Sequence, residues 1–457
     1  MSTATTTDNA QQRVAPVDEV LPANKLFVFG LQHVLVMYAG AIAVPILIGT
    51  AAKLSMEEIA FLISADLFIC GIASFIQSAG FGGFGIRLPL MMGVTFAAVP
   101  PMLVMVTSPD IGMRGMFGAI IAAGLVCMAL APLVGRMVRF FPPVVTGTVI
   151  MVTGLNLVPV GVNWIAGRGE AAGDPLNLAI SLLVLTVIIV ITKYATGFLR
   201  NVAVLLGIAV GFVVSIFLGK VEFTRVANAD WFGWVTPFHF GFPTFDIGSI
   251  LALSIIMIVV MIETTGMMLA VAEMVGKKVG SRDITRGLRV DGLGTFIGGI
   301  FNTFPYVTYS QNVGLVGVTG VRSRWVCAMA GGIMVVLALF PKLSMTFALI
   351  PHSVLGGAGV VMFGMVVATG IKVLTEADYQ GERSRNNLFI VAISVVIGMI
   401  PLVNQNVFSR FPEWMSAFTH SGIVLAALTA LILNLYLNGV PKLEGETAST
   451  LGAATSS

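Results

Sequence analysis

Glu263 follows the apolar run LALSIIMIVVMI and precedes Thr264, Thr265 and Gly266, which places a carboxylate deep within a stretch of hydrocarbon-like sequence. Inserting such a group costs about 2.5–3.5 kcal/mol, so it marks a functional position unless another helix partners it. Gln311 lies in NTFPYVTYSQNVGLVGVTG, Asn302 to Gly320, a concentration of amides and hydroxyls in an otherwise oily chain. Its side chain carries a carbonyl acceptor beside an NH₂ donor, the complement of a ring with adjacent N–H and C=O groups. Glu263 would accept from two ring N–H donors. Together they could read the edge of a planar, amide-rich heterocycle.

The segments that hold these groups are unusual. Pro305 interrupts the polar stretch, and an earlier segment, GVTFAAVPP (Gly93 to Pro101), echoes it: Val94-Thr95-Phe96-Ala97 aligns with Val307-Thr308-Tyr309-Ser310. β-Branched and aromatic residues beside proline suit short extended segments running into half-helices. Non-helical backbone at membrane depth must line a cavity or be buried in protein, and a pair of interrupted spans at matching places in two halves points to a transporter's central site. The alternative is two ordinary proline-kinked helices. Half-helix N-termini would offer free N–H groups to a ligand. Phe96 and Tyr309 could stack on a ring or simply pack. His33 could touch a ligand, orient Glu263, carry a proton or fill a structural role; Asn312 would tie the broken backbone together. Asp66 is the other acid within a span, and Asp291 beside Arg289 reads as a boundary ion pair.

The 457 residues are 57% hydrophobic and 10% charged, against about 25% charged in soluble domains. Apolar runs of roughly 20 residues, enough to cross ~30 Å of hydrocarbon, number about fourteen, beginning near residues 27, 58, 88, 113, 141, 175, 201, 247, 290, 306, 323, 353, 387 and 418. The expected fold is an all-α polytopic membrane protein with short extended segments in spans 3 and 10. Most Lys and Arg fall in alternate loops, which places both termini in the cytoplasm; the cluster from Lys277 to Arg289 reads as a positive-inside loop and not as a nucleic-acid surface. A second echo, FPPVVTG from Phe141 against IPHSVLG from Ile350, is offset by nearly the same interval as the first. Two seven-span repeats follow, 25–222 and 240–440, the second entering from the opposite side, flanked by disordered segments 1–24 and 441–457. Cys70, Cys127 and Cys327 have no metal-binding spacing, no Walker A, zinc or haem motif appears, and no cofactor is expected. The four His make no HExxH pair, which argues against a metalloprotease-like enzyme.

Gln311-Asn312-Val313-Gly314, followed after four residues by Thr319-Gly320, resembles the Q/E-N-x-G-x4-T-R/K/G signature of the nucleobase-ascorbate (nucleobase:cation symporter-2) family; Gln32-His33 and Glu263 resemble its other marks. The resemblance runs from Leu26 to about Gly439 and is strongest to the bacterial urate and xanthine permeases. It implies fourteen helices in a seven-plus-seven inverted repeat, core and gate domains, a homodimer in the inner membrane, and carriage of nucleobases with protons or, less in keeping, sodium. It further implies that Glu263 and Gln311 bind the base, with Phe96 and Ser310 completing the site. Thr95, where xanthine carriers often have Asn, leans towards urate, whereas Gly320 leans away from it. The reading is a proton-coupled importer of urate first and xanthine second, with Glu263 or His33 exchanging the proton. The alternatives are a uracil or other nucleobase symporter and an inorganic-anion exchanger of the same architecture.

Overall fold

Long apolar runs become helices where the sequence supplies ends for them. The helix Met56–Ala79 opens on a capping box, in which Glu58 N donates to Ser55 Oγ at 3.2 Å and Ser55 N to Glu58 Oε2 at 2.8 Å. The helix Ile247–Val275, which carries Glu263, is capped by Asp246, whose carboxylate accepts from Ser249 N, and stops at Gly276 with φ 74°. The computed structural model describes residues 15–137, 140–167, 172–412 and 415–439; the tail expected to be disordered, 441–457, and the first 14 residues lie outside the described residues.

The principal helices in chain order are α1 (Ala23–Ala51), α2 (Met56–Ala79), α3 (Val99–Thr107), α4 (Gly112–Leu130), α5 (Pro143–Ala166), α6 (Pro175–Tyr194) and α7 (Ala203–Phe217). They continue with α8 (Ile247–Val275), α9 (Ser281–Ile300), α10 (Ser310–Thr319), α11 (Arg324–Ala338), α12 (Pro341–Ala348), α13 (His352–Leu374), α14 (Ser384–Val403) and α15 (Gly422–Asn438). Among the described residues, eight helices are long and apolar enough to cross a membrane. The run expected as one span from 323 is instead a pair, α11 and α12, bent by 85° where Pro341 interrupts the chain. Element sizes recur in order: α1 and α8 have 29 residues each, α5 and α13 have 24 and 23, and α6 and α14 have 20 each.

The expected extended segments form. Strand β1 (Met92–Val94) pairs antiparallel with β2 (Tyr306–Thr308), with Met92 opposite Thr308, Gly93 opposite Val307 and Val94 opposite Tyr306. β1 runs through a 3₁₀ turn, Phe96–Ala98, into α3, and β2 runs almost directly into α10. The centre of pairing makes Val94 equivalent to Thr308 and Phe96 equivalent to Ser310, one residue away from the sequence echo. Matching side-chain types misplace the register because hydrogen bonding, centred on Gly93, sets it. A Cβ on Gly93 would overlap the ring of Tyr309, so glycine there is what lets the two strands and that ring share the space.

Helices pack in two sets. α1–α4 associate with α8–α12, chiefly through α2 on α11 and α4 on α9, and α5–α7 associate with α13–α15, chiefly through α5 on α13. The first set is closed at two glycine crossings. A Cβ on Gly71 of α2 would come within 2.6 Å of the Gly331 carbonyl of α11, and one on Gly124 of α4 within 2.8 Å of the Gly292 carbonyl of α9. Such close backbone approach is how helices pack when lipid removes the hydrophobic driving force. At one end, residues 15–22, within the stretch expected to be disordered, lie against this set: Val17 is buried, and Arg324 Nε donates to Asp18 Oδ1 at 2.6 Å while its Nη1 donates to the Ala79 carbonyl at 2.7 Å.

Candidate functional site

The two half-helices point their N-termini at a cavity of about 360 Å³ between the two helix sets. The first N–H groups of a helix have no acceptor within it; at α10 those of Ser310 and Gln311 open on the cavity. α3 begins Val99-Pro100-Pro101, where the prolines have no N–H and Val99 N is bonded to the Phe96 carbonyl, so that half presents its 3₁₀ turn, Phe96 and Ala97, instead. At the first, Thr95 Oγ1 accepts from Ala97 N at 3.2 Å, leaving its hydroxyl buried as a cap. At the second, Ser310 and Gln311 are exposed to the cavity, and Ser310 Oγ donates to Gln311 Oε1 at 3.2 Å. Glu263 faces the same space from the middle of α8. Its neighbour Thr264 offers Oγ1 to Thr308 N at 3.5 Å, which fixes α8 against β2. Phe96 is half-buried in the wall and meets Phe363 of α13 edge-on, centroids 6.1 Å apart. An amide, a carboxylate, a hydroxyl, the N–H groups at the start of α10 and an aromatic face suit a flat, polar-edged ring.

The remaining expected residues separate from this group. Tyr309 contributes to the cavity wall, but its ring is turned away into α1 and β1, where a Cβ at Gly40 or Gly93 would collide with it, so it is packing and not a stacking platform. His33 is buried and lies outside the cavity lining. Asn312 Nδ2 donates to His33 Nδ1 at 3.1 Å and to the His33 carbonyl at 2.9 Å, tying α10 to α1. Acceptance at Nδ1 puts the proton of a neutral imidazole on Nε2. Gly314 lies within α10, Thr319 Oγ1 donates to the Leu315 carbonyl at 2.8 Å, and Gly320 ends the helix with φ 65°. The signature therefore builds a half-helix, and its Ser310-Gln311 start is what meets the cavity.

Neither remaining acid lines the cavity. Asp66 accepts from Tyr306 Oη at 2.7 Å and Thr303 Oγ1 at 3.0 Å, a buried cluster that anchors β2 to α2. Asp291 is fully buried in α9 and forms no ion pair with Arg289 among the described residues, so it is not a boundary pair. Sequence reasoning also missed one wall: Val149, Ile150 and Thr153 of α5, and Met362, Met365, Val366, Thr369 and Lys372 of α13. They sit in ordinary apolar spans, and only their 3–4 residue spacing along one face would have suggested a shared surface. A larger cleft of about 450 Å³, between the N-terminal segment and residues 320–323, lies at the C-terminal end of α10, away from the Ser310-Gln311 start that meets the cavity.

Residues 24–406 match the family model Xan_ur_permease, described as a permease family. The chain belongs to this family. It is 53% identical over 426 residues to the uric acid transporter UacT of Escherichia coli (strain K12), an alignment covering 93% of this chain and 88% of that protein. It is 40% identical over 416 residues to the xanthine permease of Bacillus subtilis (strain 168), covering 91% and 94%. Among solved structures, the transmembrane domain of the cyanobacterial bicarbonate transporter BicA superposes with a TM-score of 0.57 at 18% identity, covering 91% of this chain and 98% of that one. SLC26A9 superposes with a TM-score of 0.61 at 14% identity, covering 91% and 66%. At those identities the likeness is one of fold. The permease family of urate and xanthine carriers, anticipated from the signature, is thus the family of this chain, a membrane-embedded transporter and not an enzyme.

Proposed function

We propose that this permease is a secondary-active, proton-coupled importer of oxidised purines, taking urate first and xanthine second, in a bacterial inner membrane with both termini cytoplasmic. The observation that carries the reading is the meeting of Glu263, Gln311, Ser310 and Phe96 around one cavity at the converging half-helices. Gln311 and Glu263 read the purine edge, Phe96 covers a face, and the N–H groups at the start of α10 face its negative charge. The relative named as a uric acid transporter, at 53% identity, favours urate over other purines. The recurring element sizes and the antiparallel strand pair support a seven-plus-seven inverted repeat of fourteen crossings, with the broken spans counted among them.

In this account the helix set containing α1–α4 and α8–α12 is the core, and that containing α5–α7 and α13–α15 is the gate. The purine sits at their boundary, and an elevator-like shift of core against gate alternates access, in a homodimer as the family resemblance implies. Urate is an anion at neutral pH, and an ionised Glu263 beside it would repel it. A proton taken up on Glu263 with the purine and released with it removes that repulsion and couples the two fluxes. His33 acts on the site through Asn312 and the placement of α10. Sodium, uracil and inorganic anions are the competing cargoes; a carboxylate facing the cavity disfavours small inorganic anions.

Equilibrium binding of urate to the purified protein tests the site. Glu263→Ala and Gln311→Ala each remove one hydrogen-bonding side chain from the purine edge and should weaken urate binding by about ten- to a hundredfold, as expected for losing a hydrogen bond to a charged or buried group. Unchanged affinity in both variants would place the purine elsewhere.

A further inference from the structure

Among the described residues lining the cavity, two are charged: Glu263, beside the half-helices, and Lys372, in the last turn of α13. Met362, Met365, Thr369 and Lys372 follow one another along one face of α13. Seven residues separate Met365 from Lys372, which puts the cation roughly 10 Å further along the helix at 1.5 Å per residue. α5 runs antiparallel beside it: a Cβ on Gly147 would meet Leu374, and one on Gly154 would meet Val367. Lys372 therefore lies level with Val149, in the second turn of α5, and is the last of the lining residues along α13. Its backbone carbonyl accepts from Thr375 Oγ1, while its ammonium group has no hydrogen bond or ion pair to any described residue.

We propose that Lys372 is a charge-selectivity residue at the mouth of the cavity, drawing anionic oxopurines along the wall of α13 and favouring them over neutral ones. This rests on the purine reading of the site. The bland role for a lysine here is to offset the negative end of α13, a partial charge of about −0.5 that a full positive charge more than balances. The excess faces a cavity whose walls are otherwise mostly Val, Ile, Met and Thr, and low-dielectric walls focus such a field on an approaching ion. The arrangement also separates two tasks. Glu263 and Gln311 recognise the ring edge shared by urate and xanthine, and Lys372 senses the net charge in which the two differ.

The test is equilibrium binding of urate and xanthine to the purified full-length protein at mildly acid pH, where urate has lost a proton and xanthine is neutral, at low and high salt. Lys372→Gln should weaken urate roughly three- to tenfold at low salt and abolish most of its salt dependence, because the screened term has been removed. Lys372→Arg should restore both, and xanthine affinity should stay within error in every variant, which also shows that they are folded. Equal losses for both purines, or no loss for either, would overturn the assignment and leave Lys372 as a helix-end cation. Wild-type protein that binds xanthine but not urate would overturn it while sparing the purine reading; wild-type protein that binds neither would defeat both.

Discussion

Glu263 and Asp66 show how two acids at membrane depth acquire different tasks from their partners. Glu263 faces the cavity and makes no hydrogen bond within the described protein, whereas Asp66 is closed off by two hydroxyl donors. Removing the charge should separate them. Glu263→Gln should leave the thermal unfolding temperature of the purified protein near that of the parent and abolish protonophore-sensitive accumulation in an uptake assay. Full proton-coupled uptake by that variant would exclude Glu263 as the proton carrier. Tyr306→Phe should do the reverse, costing about 1–3 kcal/mol for a buried acceptor deprived of a donor and lowering the unfolding temperature. Helical geometry explains why some of the residues expected at a site meet the cavity and others turn elsewhere. Gln311 and Asn312 are adjacent, yet successive helical residues point about 100° apart, so one meets the cavity and the other meets His33 on α1. His33 and Tyr309 carried the right chemistry for a site, but their direction depends on the packing of α1 against α10 and β1, which no local pattern encodes.

At the scale of elements, the two strands and their half-helices were legible because proline, β-branched residues and a repeated motif mark them locally. Their register was not, since Gly93 is chosen by contact with Tyr309 from the other half of the chain. Gly93→Ala should accordingly be costly in spite of its small size, destabilising the protein by about 1–3 kcal/mol as expected for overpacking a dense interior. A melting temperature matching the parent would mean that the ring relocates without penalty. The α5 and α13 wall was illegible for the opposite reason. Thr153, Thr369 and Met362 resemble the rest of their spans, and their role comes only from facing the gap between the helix sets.

For the molecule as a whole, hydropathy predicted many crossings, and the structure adds how they are grouped. The cavity lies near the start of α5 and the end of α13. At the other end of those helices, Thr50 at the end of α1 meets His352 Nε2 at the start of α13, 3.4 Å away. That contact joins the two sets at the opposite end of α13 from Lys372, so the proposed movement of core against gate must part it. A short bifunctional thiol reagent bridging Cys residues placed at 50 and 352 should block uptake while sparing urate binding, with little background because the three native cysteines are buried. Undiminished uptake after complete cross-linking would show that the sets need not separate there. The central claim, proton-driven purine import, is tested most directly by uptake of radiolabelled urate and xanthine in cells expressing this chain and lacking their own purine permeases. The account predicts accumulation of urate ahead of xanthine that collapses when a protonophore is added. Accumulation indifferent to the protonophore, or uptake of neither purine, would contradict it.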